Sequence, residues 1–119
     1  TADVYRHSHV PETPRSSETL AHGLGRGWLN LAGRGLWNRL QSAAAGLSPW
    51  VGRLQREFGR LNCVAHQMTG SGAGYFGIFA NAAVARRAAR LLASRVPECF
   101  CFCVNTVGRN ANLIRYRTD

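Results

Sequence analysis

Apolar positions change their period several times along the chain, and each change marks an element. From Leu36 onward they recur at Leu36, Leu40, Ala44 and Leu47, the spacing of one helical face. Ser48-Pro49 then supplies a capping residue and a proline suited to a first helical position, and Val51, Leu54, Phe58 and Leu61 line the next helix. Asn62 to Met68 reads as a strand, Thr69 to Gly74 as a loop, and Tyr75 to Ala80 as a second, aromatic-rich strand. Asn81 is placed to cap a helix from Ala82 to about Ser94 that buries Ala85, Ala88 and Leu92 and turns Arg86, Arg87 and Arg90 to water. Pro97 ends the connection. Glu98 to Thr106 reads as a last strand, with Cys99, Cys101 and Cys103 alternating onto one face, and residues 108–119 as a polar tail.

The front of the chain is less regular. Thr1 to Tyr5 ends in a β-prone pair, and two prolines in His7-Ser-His-Val-Pro-Glu-Thr-Pro14 argue for extended backbone, so residues 1–17 are expected as a loop. Ser16 or Ser17 can cap a helix from near Glu18, which Gly23, Gly25 and Gly27 should stop within about two turns. Arg26-Gly-Trp-Leu-Asn and Arg34-Gly-Leu-Trp-Asn echo each other but are too short to be a structural repeat. The order of helices, strand, strand, helix and strand predicts an α+β fold, a two-layer sandwich with an antiparallel sheet on one side.

Composition narrows the class. A chain of 119 residues holds one domain, here residues 1–119, and 45% hydrophobic with 18% charged residues is ordinary for a globular protein. The most apolar stretch, Tyr75 to Val84, is too short to cross a bilayer, so no membrane partner is expected. The chain begins at Thr1 and its only methionine is Met68, so a preceding segment is expected. The net charge of +9 comes from fifteen arginines with no lysine, and it raises nucleic acid as a partner. The arginines are dispersed, with no block of five, which favours a solvated surface and argues against nucleic acid. Same-face neighbours such as Cys99, Cys101 and Cys103 rarely pair, and their spacing is not that of a zinc site; buried thiols and a cytoplasmic protein are expected, with no metal ligands. His7, His9, His22 and His66 lack carboxylate or cysteine partners at catalytic spacing.

Chemistry concentrates at Thr69-Gly-Ser-Gly-Ala-Gly74. Gly70, Gly72 and Gly74 permit positive φ and close ligand approach, and successive amides in such a turn can form an anion nest; a ligand-free glycine hairpin is the alternative. Gly72-Ala-Gly-Tyr-Phe-Gly77 fits GxGxxG, but a dinucleotide fingerprint must open a helix, and Tyr-Phe-Gly-Ile-Phe is a strand sequence. A chain without lysine also has no P-loop cation.

Met68-Thr-Gly-Ser-Gly-Ala-Gly-Tyr-Phe-Gly-Ile-Phe79 resembles the third conserved motif of the GHMP kinase superfamily. Trp37-Asn-Arg-Leu40 is similar to that family's helical Asn-Asp-Leu element, with Arg39 in place of the aspartate, and Leu47-Ser-Pro-Trp-Val precedes the motif at the expected distance. Thr1-Ala-Asp-Val-Tyr5 with Pro11-Glu-Thr-Pro14 resembles the diphosphocytidyl-methylerythritol kinases within it, though Glu12 stands where a basic residue is common.

The resemblance implies a ferredoxin-like C-terminal domain with helices on one face of the sheet, lacking its first strand. It implies an ATP- and Mg-dependent kinase that phosphorylates a hydroxyl of a cytidylyl-linked polyol in isoprenoid precursor synthesis; a homoserine or mevalonate kinase is the alternative. The catalytic residues, the ATP loop and the Mg ion would belong to the chain's own N-terminal kinase domain, so this chain alone would be inactive and carry no catalytic residue. Thr69, Gly70, Ser71, Gly72, Ala73 and Gly74 would support the phosphate loop, and Tyr5 and Asn38 would bind the small-molecule substrate, Tyr5 by stacking on cytosine. The exposed sheet edge left by the missing strand would leave homodimerisation open.

Overall fold

Gly23 has no room for a side chain. In the computed structural model, which describes residues 1–72 and 74–106, a Cβ there would lie 2.4 Å from the Ala32 backbone nitrogen, and one at Gly35 would lie 2.5 Å from that of Leu20. These close approaches join helix α2, Glu18–Arg26, to helix α3, Leu29–Arg34. The sequence reading missed α3. Its glycines serve as contact surface and as stops: the paired Arg-Gly steps end α2 at Gly27 and α3 at Gly35, which explains the echo.

The first seven residues correct the expected loop, because Ala2–His7 is a helix, α1. Asp3 lies in its first turn and Arg6 and His7 in its last, which suits the helix dipole, and Arg6 pairs with Asp3. Burial of Val4 among Leu40, Ala44, Val51 and Met68 outweighs the β preference of the Val-Tyr pair. Residues 8–17 carry no helix or strand, as expected.

Helix α4, Gln41–Leu47, begins later than its apolar spacing suggested, so Asn38 precedes it instead of lying within it. Helix α5, Pro49–Gly59, starts at the expected proline. Strands β1, Ala65–Thr69, and β2, Gly74–Ile78, pair antiparallel, with Met68 opposite Tyr75 and Thr69 opposite Gly74. Helix α6, Ala82–Arg95, is capped by Asn81, whose Oδ1 accepts the Val84 N–H at 3.0 Å. Ala88 and Leu92 are buried on α6, while Arg86, Arg87 and Arg90 face solvent.

Two buried clusters make the core. One joins Leu54, Phe58 and Leu61 to Ala88, Leu92 and Val96; the other joins Val4, Leu40 and Ala44 to Val51 and Met68. Tyr75 packs against both, and α5 contributes to both. At the far end of α5, Glu57 lies 3.3 Å from Arg60 and 3.7 Å from Arg95, and Arg53 donates to the Arg95 carbonyl at 3.0 Å, tying α5 to α6.

Glu98 to Thr106 is not a strand, which corrects the sequence reading. Its alternation survives only in part: Cys99 and Cys101 pack on the core, while Phe100, Phe102 and Val104 are 92%, 80% and 82% exposed, and Cys103, expected to be buried, is exposed as well. A strand needs a hydrogen-bonded neighbour, and β1 and β2 form a two-stranded sheet that does not include this segment. The tail at 108–119 lies outside the described residues. The protein is thus a small α+β fold with a two-stranded antiparallel sheet and, among the described residues, six helices.

Gly23→Ala is expected to cost about 1–3 kcal/mol by overpacking the α2–α3 contact. Gly25→Ala, where a Cβ meets nothing within 4 Å, should stabilise α2 by about 0.5–1 kcal/mol. Urea midpoints of the two variants should therefore move in opposite directions.

Candidate functional site

The glycine loop hangs between β1 and β2, and its shape is imposed from outside. Asn38 Nδ2 donates to the Met68 carbonyl at 2.9 Å and to the Gly70 carbonyl at 2.8 Å, while its Oδ1 accepts the Leu40 N–H at 3.0 Å. One amide thus holds both ends of the turn that leaves β1. Because a trans peptide sets C=O and the next N–H in opposite directions, drawing the Gly70 carbonyl toward Asn38 turns the Ser71 N–H away from it. Gly70 and Gly72 have φ of +61° and +100°, which glycine adopts without strain, and the Gly72 N–H reaches the Thr69 carbonyl at 3.4 Å. Ala73 lies outside the described residues.

Gln41 completes the arrangement and was not anticipated. Its Oε1 accepts the Met68 N–H at 2.9 Å and also the Gln67 side-chain amide. Asn38 and Gln41 therefore satisfy the carbonyl and N–H of Met68 on the edge of β1 away from β2, as a neighbouring strand would. Only the three-residue spacing of these amides hinted at this, and that spacing has meaning only once the α4 start is known.

With Oε1 committed to a backbone donor, Gln41 presents Nε2 toward the Tyr75 hydroxyl, 3.5 Å away. The hydroxyl is 2.7 Å from His66 Nδ1, so Tyr75 donates and His66 accepts. Burial lowers the His66 pKa. Burial also raises that of Tyr75, a shift opposed by the Gln41 hydrogen bond and reinforced by Cys63. Phe58 packs beside both rings, with centroids 4.8 Å from Tyr75 and 6.1 Å from His66.

Tyr5 lies on α1 and is 52% exposed. The Thr1 hydroxyl at the start of α1 is 3.4 Å from that of Ser71, so Tyr5 stands one helical turn from a contact with the glycine loop. The structure thus gathers the loop, Asn38 and the beginning of α1 into one region. Among the described residues, no group of three or more His, Cys, Asp or Glu is placed to hold a metal ion, and no helix is long and apolar enough to cross a membrane.

Residues 15–98 match the family described as GHMP kinases C terminal. The chain belongs to the GHMP kinase family. Among curated relatives it is similar to the 4-diphosphocytidyl-2-C-methyl-D-erythritol kinase of Mesorhizobium japonicum (strain LMG 29417 / CECT 9101 / MAFF 303099), at 36% identity over 106 residues. That alignment covers 84% of this chain and 34% of the relative, so the chain spans about a third of the GHMP kinase it matches. No solved structure matches it.

Asn38→Ala removes the partner of two loop carbonyls and should destabilise the chain by about 1–3 kcal/mol. The hydrogen-exchange protection of the β1–β2 turn should fall with it. The His66 effect has a definite sign: the folded ring is held neutral, so its contribution is complete above the unfolded value of about 6.5 and is lost as pH falls through the lowered folded value. Urea midpoints measured from pH 8 to 5 should fall more steeply for the native chain than for His66→Gln.

Proposed function

We propose that this chain is the C-terminal wall of an ATP-dependent kinase that phosphorylates a hydroxyl of 4-diphosphocytidyl-2-C-methyl-D-erythritol, in isoprenoid precursor synthesis. The observation that carries the reading is the likeness to the Mesorhizobium kinase across 84% of this chain. The geometry of the glycine loop supports it.

Phosphoryl transfer depends on positioning and on stabilising charge spread over the phosphoryl oxygens, and needs little covalent help from the protein. The clamped turn suits that task. Thr69 to Gly74 present backbone, with Ser71 N–H turned away from Asn38, to the phosphate-bearing part of the active site. Tyr5 offers an exposed ring one turn from this loop, suited to stacking on a cytosine. Asn38 acts on substrate through the loop that it holds.

Magnesium neutralises charge on the nucleotide phosphates in such reactions. In this reading the Ser71 N–H, turned away from Asn38, is offered to phosphate; among the described residues no group of three or more His, Cys, Asp or Glu is placed to hold the ion. The reading assigns the ion, the catalytic base and the nucleotide loop to an N-terminal kinase domain and takes this chain alone to be inactive. The reading places the enzyme in the cytoplasm.

The test is the full-length parent enzyme, assayed for ADP release with the cytidylyl polyol, homoserine and mevalonate in parallel. Turnover is expected with the cytidylyl substrate; a folded enzyme that uses only homoserine or mevalonate, or none of the three, overturns the assignment. Tyr5→Ala should raise KM for the cytidylyl substrate about tenfold, the loss of roughly 1.4 kcal/mol of stacking, while leaving KM for ATP unchanged. Tyr5→Phe should restore it.

A further inference from the structure

A second concave region lies away from the glycine loop, between α1 and one face of α4. It is a groove of about 410 Å³ lined by His7, Ser8, His9, Arg39, Ser42 and Gly46, with Ala43 and Leu47. That volume falls within the usual range for small-molecule sites, about 300–1,000 Å³. Ser42, Ala43, Gly46 and Leu47 recur at three- and four-residue steps and share one face of α4, Arg39 lies in the turn just before that helix, and the small residues in the middle of the face leave the groove open.

The lining is polarised. It holds one guanidinium, two imidazoles and two hydroxyls, and no carboxylate. Arg39, like most of the described arginines, makes no ion pair among the described residues, and it is the one arginine that lines this groove. His7 Nδ1 lies 2.7 Å from the Asp3 carbonyl, which can only accept, so Nδ1 carries a proton, and Nε2 has no partner among the described residues and donates to an anion in the imidazolium form. Ser8 is extended, with φ −78° and ψ 142°, and carries the chain out of α1 toward His9.

Two helix C-termini border the groove, and their carbonyls would oppose an anion. One carbonyl at each end is engaged: Tyr5 O accepts from the Ser8 N–H at 3.3 Å and the Ser8 hydroxyl at 2.8 Å, and Ala44 O accepts from the Ser48 N–H at 2.8 Å. The helices behind them are only six and seven residues long, and the Arg39 guanidinium brings a full positive charge to the lining. Arginine, imidazole and hydroxyl donors around a small cavity are the set that recognises phosphate oxygens.

We propose that this groove binds a phosphoanion through Arg39, His7 and His9, with Ser42 donating from its wall. The inference stands apart from the kinase reading, because none of these residues contributes to the glycine loop.

The test follows the imidazole signals of the full chain by NMR during titration with inorganic pyrophosphate at low ionic strength. The four histidines give an internal control: His7 and His9 should shift saturably, and His22 and His66 should stay in place. Arg39→Gln should weaken the binding about tenfold or more, with an unchanged circular dichroism spectrum. Absence of a saturable shift, equal shifts at all four rings, or unchanged affinity in a folded Arg39→Gln variant would overturn the proposal. Cytidine diphosphate serves as a second probe once binding is established. Affinity well above that of pyrophosphate assigns the groove to the diphosphate arm of a nucleotide-linked ligand, and equal affinity assigns it to a free phosphoanion.

Discussion

The Asn38 side chain carries more of this structure than its size suggests. A two-stranded ribbon is marginal in water, and its outer backbone groups must find partners or solvent. Here Asn38 and Gln41 supply those partners to Met68, the most deeply buried large side chain of the sheet at 1% exposure. Met68 could not sit in the Val4–Leu40–Val51 cluster if its backbone needed water, so side-chain burial and edge satisfaction depend on each other. The same Asn38 amide reaches on to Gly70. The hydrogen bond that completes the core therefore also sets the loop.

Tyr75 makes the corresponding link on the other strand. Its ring packs against both clusters and its hydroxyl lies between Gln41 and His66. An aromatic body with a polar tip suits this place, because the apolar ring can be buried only if the hydroxyl keeps a partner. His66 accepts that hydrogen bond as a neutral ring in surroundings that disfavour its charge. The motif's tyrosine thus serves the packing of the domain, while the motif's glycines serve the loop.

The parts of the fold that were legible in the sequence are those decided locally. Asn81 before an Ala-rich run, Pro49 after Ser48, and the glycine turn between two β-prone stretches are signals contained within a few residues, and α6, α5 and the hairpin followed from them. Errors arose where a distant contact decides. Val4 makes α1 helical by burying itself against α4, α5 and β1. Gly23 belongs to α2 because Ala32 packs against it, so a residue read as a stop is a contact. Phe100 and Phe102 have the alternation of a strand without a neighbour to pair with. In the site, spacing and family likeness located the loop, but the convergence of Asn38 and Gln41 on Met68 depends on the path from α3 to α4, for which no local signal exists.

The role proposed for the glycine loop follows from the same physics. The loop's contribution is backbone, and backbone amides can be aimed by remote side chains without any ionisable group at the reacting centre. On the proposed function, a lysine-free chain forms one wall of a phosphoryl-transfer site because the wall needs orientation, with the charge assigned to another domain. Arginine is deployed elsewhere: Arg15, Arg26 and Arg53 lie over the rings of Trp37, Trp28 and Trp50 at 5.5, 5.7 and 5.3 Å. Stacks of this kind, each about 0.5–1 kcal/mol when exposed, shield large apolar rings at the surface of a small domain. Part of the arginine excess is thereby explained as packing, and Arg39, which like Arg34, Arg56, Arg86, Arg87 and Arg90 neither stacks on an aromatic ring nor pairs with an acid among the described residues, is set apart by its place in the groove beside His7 and His9.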